Sequence, residues 1–367
     1  MYNIFDYLTW RGDIPFSADP FNEVDNMILA ELAYTDFEGV PKRGAMSLAQ
    51  ARRVFFLRHK REEFTDSASY PAKSAALLDA AGKCPRFADI ALRYRINEID
   101  REKGSQISAV TFVLGDGTAY VAFRGTDNTL AGWKEDFDIS YLRETEGQRR
   151  AVEYLNEVGR KIDLPLRVGG HSKGGNFAVY AAAFCHEPLR ERIIEVYTND
   201  GPGFRKEITQ SEEYKRLLPK IISIVPDTSV VGMLLSSSCK HKVVKSSAVP
   251  GFQHDGTTWS VVRNRFERTK KSDLGKFIEK ALGGWLESMD YETRKSFTYT
   301  LFSLIESTGR DTIDEINEQK IKSAEAIISA MAGMPKKKRG ELLRLLCDLI
   351  RAGRQTAVSM IADKSKR

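Results

Sequence analysis

Residues 106–265 read as an α/β fold, a mostly parallel, doubly wound sheet flanked by helices, on two observations. Short β-branched and aromatic runs alternate there with helix-length amphipathic stretches. The polar residues able to do chemistry, Ser172, Asp200, Asp227 and His254, fall just after such runs. In an open α/β sheet, the loops at the carboxyl ends of strands gather the site. With 367 residues there is room for this core and a smaller appendage.

Taken in order, residues 1–105 read mainly as helices. Residues 21–34 carry Val24, Ile28, Leu29, Leu32 and Ala33 on one face with the acidic residues elsewhere. Residues 47–59 and 73–81 are shorter helix candidates. Two β-rich runs follow, 107–114 and 118–123, joined by Gly115-Asp116-Gly117, a hairpin signal. A helix is expected over 148–162, a strand over 164–168, and an alanine-rich helix over 177–184. Further strands are expected at 193–198, 221–225 and 242–246. From Lys270 onward the apolar residues recur at three- and four-residue spacing, as in Phe277, Ala281, Leu282 and Trp285. The chain thus divides into 1–268, with a helical N-terminal section and the sheet, and 269–367, a helical C-terminal region.

Composition excludes several classes. Apolar content of 42% and charged content of 29% are those of an ordinary globular protein. Cys84, Cys185, Cys239 and Cys347 form no CxxC pair, so they read as reduced thiols rather than a zinc set or disulfide framework. The histidines are dispersed and no H-E-x-x-H occurs, so neither metal nor cofactor is expected. No basic stretch followed by an apolar one opens the chain, and no run approaches the length of a membrane span, so the expected location is cytoplasmic. The net charge of +6 is mild. Lysine-rich clusters at Lys336-Lys337-Lys338-Arg339 and Lys364-Ser365-Lys366-Arg367 read first as solvated faces. Contact with an anionic membrane through these helices is the further use they suggest, ahead of nucleic acid.

The chemistry centres on Gly170-His171-Ser172-Lys173-Gly174, a G-x-S-x-G pentapeptide between a strand-like and a helix-like stretch. In a nucleophile elbow the serine occupies a strained strand-to-helix turn, and residues two before and two after it must be small. Ser172 is therefore the candidate nucleophile. Its alternative is an ordinary serine in a tight glycine-rich turn. A serine hydroxyl needs a base. His254, in a loop after the last strand, is in the right place, whereas His171 reads as a packing residue and His59, His186 and His241 as incidental. The acid lies between serine and histidine in the chain, and Asp200 and Asp227 are the candidates there because each follows an expected strand. Asp200 could instead cap the turn of Asn199-Asp200-Gly201-Pro202-Gly203, and Asp227 could cap a helix over 229–235. The developing oxyanion needs preorganised donors. The main-chain N–H of Lys173 is one, and Thr126, in Arg124-Gly125-Thr126, is the second, with its hydroxyl as an extra donor.

These residues resemble a known family. Phe123-Arg124-Gly125-Thr126, Gly132-Trp133 and Glu135-Asp136 are similar to the oxyanion segment of class 3 lipases. Gly170-His171-Ser172-Lys173-Gly174-Gly175 resembles their Gly-His-Ser-Leu-Gly-Gly elbow, with Lys173 in place of leucine, a more polar choice beside an acyl pocket. A closer resemblance is to the Mbeg1-like group of lipase-related bacterial proteins. It covers residues 3–266 and rests on Gly-His-Ser-Lys-Gly-Gly-Asn, Asn-Asp-Gly-Pro-Gly-Phe, Val-Gly-Met-Leu-Leu and Gln-His-Asp-x-x-x-Trp. The resemblance implies an α/β-hydrolase fold and a Ser-His-Asp site. Because the Asp of Asn-Asp-Gly-Pro-Gly recurs in that group, it favours Asp200. The expectation is a serine hydrolase acting on a small-molecule or lipid ester. The competing one is a hydrolase-fold scaffold whose basic helical tail docks on a partner.

Overall fold

The computed structural model describes residues 1–39, 44–64, 69–100, 105–127, 129–235, 237–310, 316 and 319–364, and not the side chains of 131, 320 and 357–364. Residues 365–367 of the last basic cluster lie outside the described residues. The strands of the main sheet are β1 (Met46–Ser47), β2 (Ala91–Asp100), β3 (Ser105–Val113), β4 (Ala119–Phe123), β5 (Leu166–His171), β6 (Ile193–Asn199), β7 (Ile221–Pro226) and β8 (His241–Val244). They lie side by side in chain order, β1 to β4 antiparallel and β4 to β8 parallel. A ribbon of β9 (Val261–Val262) and β10 (Arg265–Phe266) follows.

This sequential order corrects the doubly wound expectation. Right-handed crossovers that advance in one direction put their helices on one face. Here those helices are α7 (Glu146–Lys161), α8 (Lys173–Phe184), α9 (Glu187–Arg192), α10 (Lys206–Thr209) and α11 (Glu212–Leu217). Their apolar residues, among them Leu155, Ala178, Leu189 and Leu217, form one core with Val121, Val168 and Val196 of the sheet. The opposite face is covered by the N-terminal section: α1 (Ile4–Arg11), α2 (Glu23–Leu32), α3 (Leu48–Arg58), α4 (Tyr70–Ala81) and α5 (Pro85–Ala88). The fold is an α/β-hydrolase fold, one layer supplied by crossovers and the other by the chain's own N-terminus.

Two readings of that section change. Strand β2 stands where helices are expected, because Arg93, Arg95, Asn97 and Glu98 hide its period. A register shift between Arg93 and Ile96, with Tyr94 at φ 53°, breaks the alternation that would reveal it. Helix α2 is buried on all sides rather than amphipathic, and Asp25 and Glu31 lie inside with the leucines. Asp25 is met by Arg86 at 2.6 Å and by the Tyr7 hydroxyl at 2.9 Å.

Helix α6 (Leu130–Asp138), capped by Thr129, follows β4. Beyond the sheet lie α12 (Asp273–Glu287), α13 (Tyr291–Glu306), α14 (Lys320–Gly333) and α15 (Lys336–Lys364). Trp285, Phe297, Leu304, Leu342 and Leu345 pack these helices together, with Phe137 of α6 against the same cluster. The α13 residues Phe302 and Tyr299 meet Phe137 and Lys134, at 5.5 Å between ring centroids and 5.2 Å from ammonium to ring. The C-terminal helices therefore rest on α6.

Candidate active site

Ser172 sits between the end of β5 and the start of α8 at φ 58°, ψ −134°. A non-glycine residue in this region costs about 1–3 kcal/mol, so the surroundings must enforce it. They do: the Ser172 N–H donates to Asn199 O at 2.9 Å, and the backbones on either side are in near contact. A Cβ on Gly174 would stand 2.1 Å from Phe123 O, and one on Gly170 2.4 Å from the Gly174 carbonyl carbon. The Asn199 side chain donates to Gly170 O at 3.1 Å and exchanges hydrogen bonds with Asn26 of α2, tying the turn to the N-terminal layer. The Ser172 hydroxyl makes no capping bond to α8, and the residue is 9% exposed.

Asp200 follows β6 at φ 49° and is fully buried. Its Oδ2 lies 2.7 Å from His254 Nδ1, and its Oδ1 accepts the Ser229 hydroxyl. A carboxylate at Nδ1 holds the proton there and leaves Nε2 as the basic nitrogen. Asp227 is elsewhere: its carboxylate accepts the N–H of Ser272, the residue that caps α12. The helix expected at 229–235 is a single 3-10 turn, Val231–Met233. Of the two acids weighed, the structure brings Asp200 to His254 and Asp227 to α12.

His171 does more than pack. Its Nε2 lies 2.7 Å from the main-chain oxygen of His254, and the two rings stack at 4.5 Å and 31°. A carbonyl only accepts, so Nε2 carries the proton and Nδ1 is the acceptor, at 3.2 Å from the Tyr34 hydroxyl. Burial, reinforced by the neighbouring His254, lowers its pKa to about 3, so the ring stays neutral. Beside it, Glu31 Oε1 lies 3.4 Å from His171 Nδ1 with no hydrogen-bond partner among the described residues. Burial, with the nearby Asp255 charge, pushes that carboxyl up to about 8. Asp255 pairs with Lys73 of α4 at 2.6 Å, fixing the residue after His254. Sequence reasoning misses this shelf of Glu31, Tyr34 and Lys73. The one signal for it is a carboxylate among Ile28, Leu29 and Leu32.

After β4, the Thr126 hydroxyl donates to Asp136 of α6 at 2.5 Å. It is thereby committed, whereas the Thr126 main-chain N–H joins no hydrogen bond among the described residues. Burial raises the Asp136 carboxyl to about 6, against the pull of Lys173. Lys173 is itself buried, its Nζ 3.0 Å from Glu135 Oε2 and 3.3 Å from Gly132 O. Glu135 also accepts from the N–H groups of Gln106, at 3.1 Å, and Gly147, at 2.8 Å. The polar elbow residue thus turns to α6 and pins it, while its N–H stays at the first turn of α8, where helix N–H groups have no partners within the helix.

His241 is bonded to the Ser223 hydroxyl at 2.8 Å and His59 to Glu63 at 3.0 Å, both apart from this site. A cleft of about 300 Å³ lined by Tyr141, Arg205, Leu286 and Arg294 lies between the sheet domain and α12–α13 and contains none of Ser172, Asp200 and His254. Among the described residues no cluster of three His, Cys, Asp or Glu could hold a metal.

The M37 lipase structure is similar at 13% identity and a TM-score of 0.36, over 57% of this chain and 68% of that one. The Rhizomucor miehei lipase propeptide complex is similar at 14% identity and 0.34, over 46% and 58%. The lipase from Rhizopus microsporus var. chinensis gives 14% and 0.33, over 59% and 82%. Likenesses this weak carry no argument about chemistry. No curated protein matches. The family model described as Mbeg1-like matches residues 81–303, more than half of the sequence, and the chain belongs to the Mbeg1-like family.

Proposed function

We propose that this protein is a serine hydrolase that cleaves small-molecule or lipid carboxylic esters through an acyl-enzyme on Ser172. The observation that carries the reading is the 2.7 Å bond between His254 Nδ1 and buried Asp200, beside an elbow whose serine is held at φ 58°. The Ser172 Oγ attacks the ester carbonyl carbon while its proton passes to His254 Nε2. Asp200 stabilises the imidazolium. The carbonyl oxygen becomes an oxyanion held by the N–H groups of Lys173 and Thr126. Collapse expels the alcohol, which takes the proton from His254. Water then attacks the acyl-enzyme, gives a proton to His254, and the acid leaves as Ser172 regains that proton.

Ser172 is only 9% exposed, so a bulky ester needs the cover over it to shift before it can reach the hydroxyl. The competing scaffold reading expects the same helical tail to bind a partner, with no reaction at Ser172. A fluorophosphonate probe separates the two: the enzyme reading expects labelling of the wild type and none of Ser172→Ala. A panel of p-nitrophenyl esters and acylglycerols then ranks acyl length.

A further inference from the structure

The structure assigns a second working surface, the outward strip of α15, which we propose docks on an anionic phospholipid bilayer. Lys336, Arg339, Leu343, Leu346, Ile350 and Arg354 fall, at 3.6 residues per turn, within a strip about 80° wide and about 27 Å long. Leu343, Leu346 and Ile350 are 46%, 40% and 59% exposed, an apolar patch turned to solvent. The other leucines, Leu342, Leu345 and Leu349, turn into the helical cluster, where Trp285 Nε1 donates to Leu345 O at 3.0 Å. One side of α15 therefore has its partner and this side has none among the described residues.

The charges say what fits. Lys336–Lys364 holds eight Lys or Arg against three Asp or Glu. Glu341 and Asp348 project about 160–180° away from the strip, and Asp348 is paired with Arg351 at 2.6 Å. Within the strip, basic residues bracket the apolar ones and no carboxylate stands among them. A protein partner burying Leu343 and Ile350 would place Lys336 and Arg354 against its own surface, whereas an acyl region edged by phosphates satisfies both at once. A helix with an apolar line and cationic flanks lies in the interface plane. No helix among the described residues is long and apolar enough to cross a membrane, so α15 lies on the surface.

The test is co-sedimentation of the full chain with vesicles of phosphatidylcholine alone or with 30 mol% phosphatidylglycerol as a roughly one-third anionic mixture. We expect binding to the anionic vesicles only. Lys336→Gln with Arg354→Gln lowers the partition coefficient at least about fivefold, the effect of about one surface-bound cation. Lys337→Gln with Lys338→Gln removes the same charge off the strip and leaves binding within about twofold of wild type. Leu343→Ser with Ile350→Ser also loses at least about fivefold, with circular dichroism confirming that each variant is folded. Equal effects of the two charge pairs, equal binding to neutral vesicles, or retained binding by the leucine–isoleucine variant would each overturn the assignment. So would strip-dependent dimerisation or binding to a DNA duplex without binding to vesicles. Ser172→Ala must bind vesicles like the wild type, so this result and the hydrolase reading fail separately.

Discussion

The Nε2 of His171 lies 2.7 Å from the main-chain oxygen of His254, with the two imidazoles stacked at 4.5 Å. The residue before the proposed nucleophile thus holds the loop of the proposed base, and does so as a neutral donor. His171→Phe keeps the ring and removes the donor. It is expected to slow phosphonate labelling of Ser172 by about tenfold or more and to cost about 1–3 kcal/mol in urea unfolding. Wild-type labelling with unchanged stability would show that the bond positions nothing.

Asp200 and Asp227 divide cleanly by partner. Asp200→Asn leaves a neutral amide at His254 Nδ1 and is expected to lower labelling by about 10³–10⁴-fold. Asp227→Asn weakens the bond to Ser272 N–H at the start of α12, costs about 1 kcal/mol of stability, and leaves labelling near wild type. Comparing both variants on one probe checks the pair, and the reverse pattern would move the acid to Asp227.

Glu31 makes stability depend on pH. Its folded pKa of about 8 exceeds its ordinary 4.5, so between these values the folded chain holds a proton that the unfolded chain has released. Its contribution is full below pH 4.5 and is lost as pH rises toward 8, by at most about 1.4 kcal/mol per unit. His171, lowered to about 3 from 6.5, runs the other way: its contribution is present above pH 6.5 and lost as pH falls toward 3. Glu31→Gln should therefore gain on the wild type between pH 5 and 8 in urea unfolding. A pH-independent difference would contradict the raised carboxyl.

Lys173 and Glu135 are both buried, and their ammonium and carboxylate lie 3.0 Å apart. Removing one partner strands the other, so Lys173→Met should cost about 3–5 kcal/mol, and adding Glu135→Gln should recover a large part of it. Thermal or urea unfolding of the two variants measures this. A double variant no more stable than the single would contradict the pairing.

The elbow is legible in the sequence because strand, serine and helix are contiguous and the glycines mark the close approach to Phe123. His254 and the two acids are legible from their places after strands. The choice of acid is not, since what separates Asp200 from Asp227 is contact with His254, 54 residues from Asp200 in the chain. Helix α2 misleads because Asp25 reads as solvated until Arg86 and Tyr7, far from it in sequence, cover it. Strand β2 misleads because its charges and the irregularity at Tyr94 mask its period. Lys173 reads as a polar lining residue until Glu135 of α6 is seen to take its charge.

The measurement that tests the central claim most directly is intact-mass and peptide mapping of the protein after exposure to a fluorophosphonate. A single adduct on Ser172, absent in Ser172→Ala and strongly slowed in Asp200→Asn and His254→Ala, is the expected result. No adduct on Ser172, or one that forms equally fast without Asp200 and His254, would contradict the assignment of a serine hydrolase.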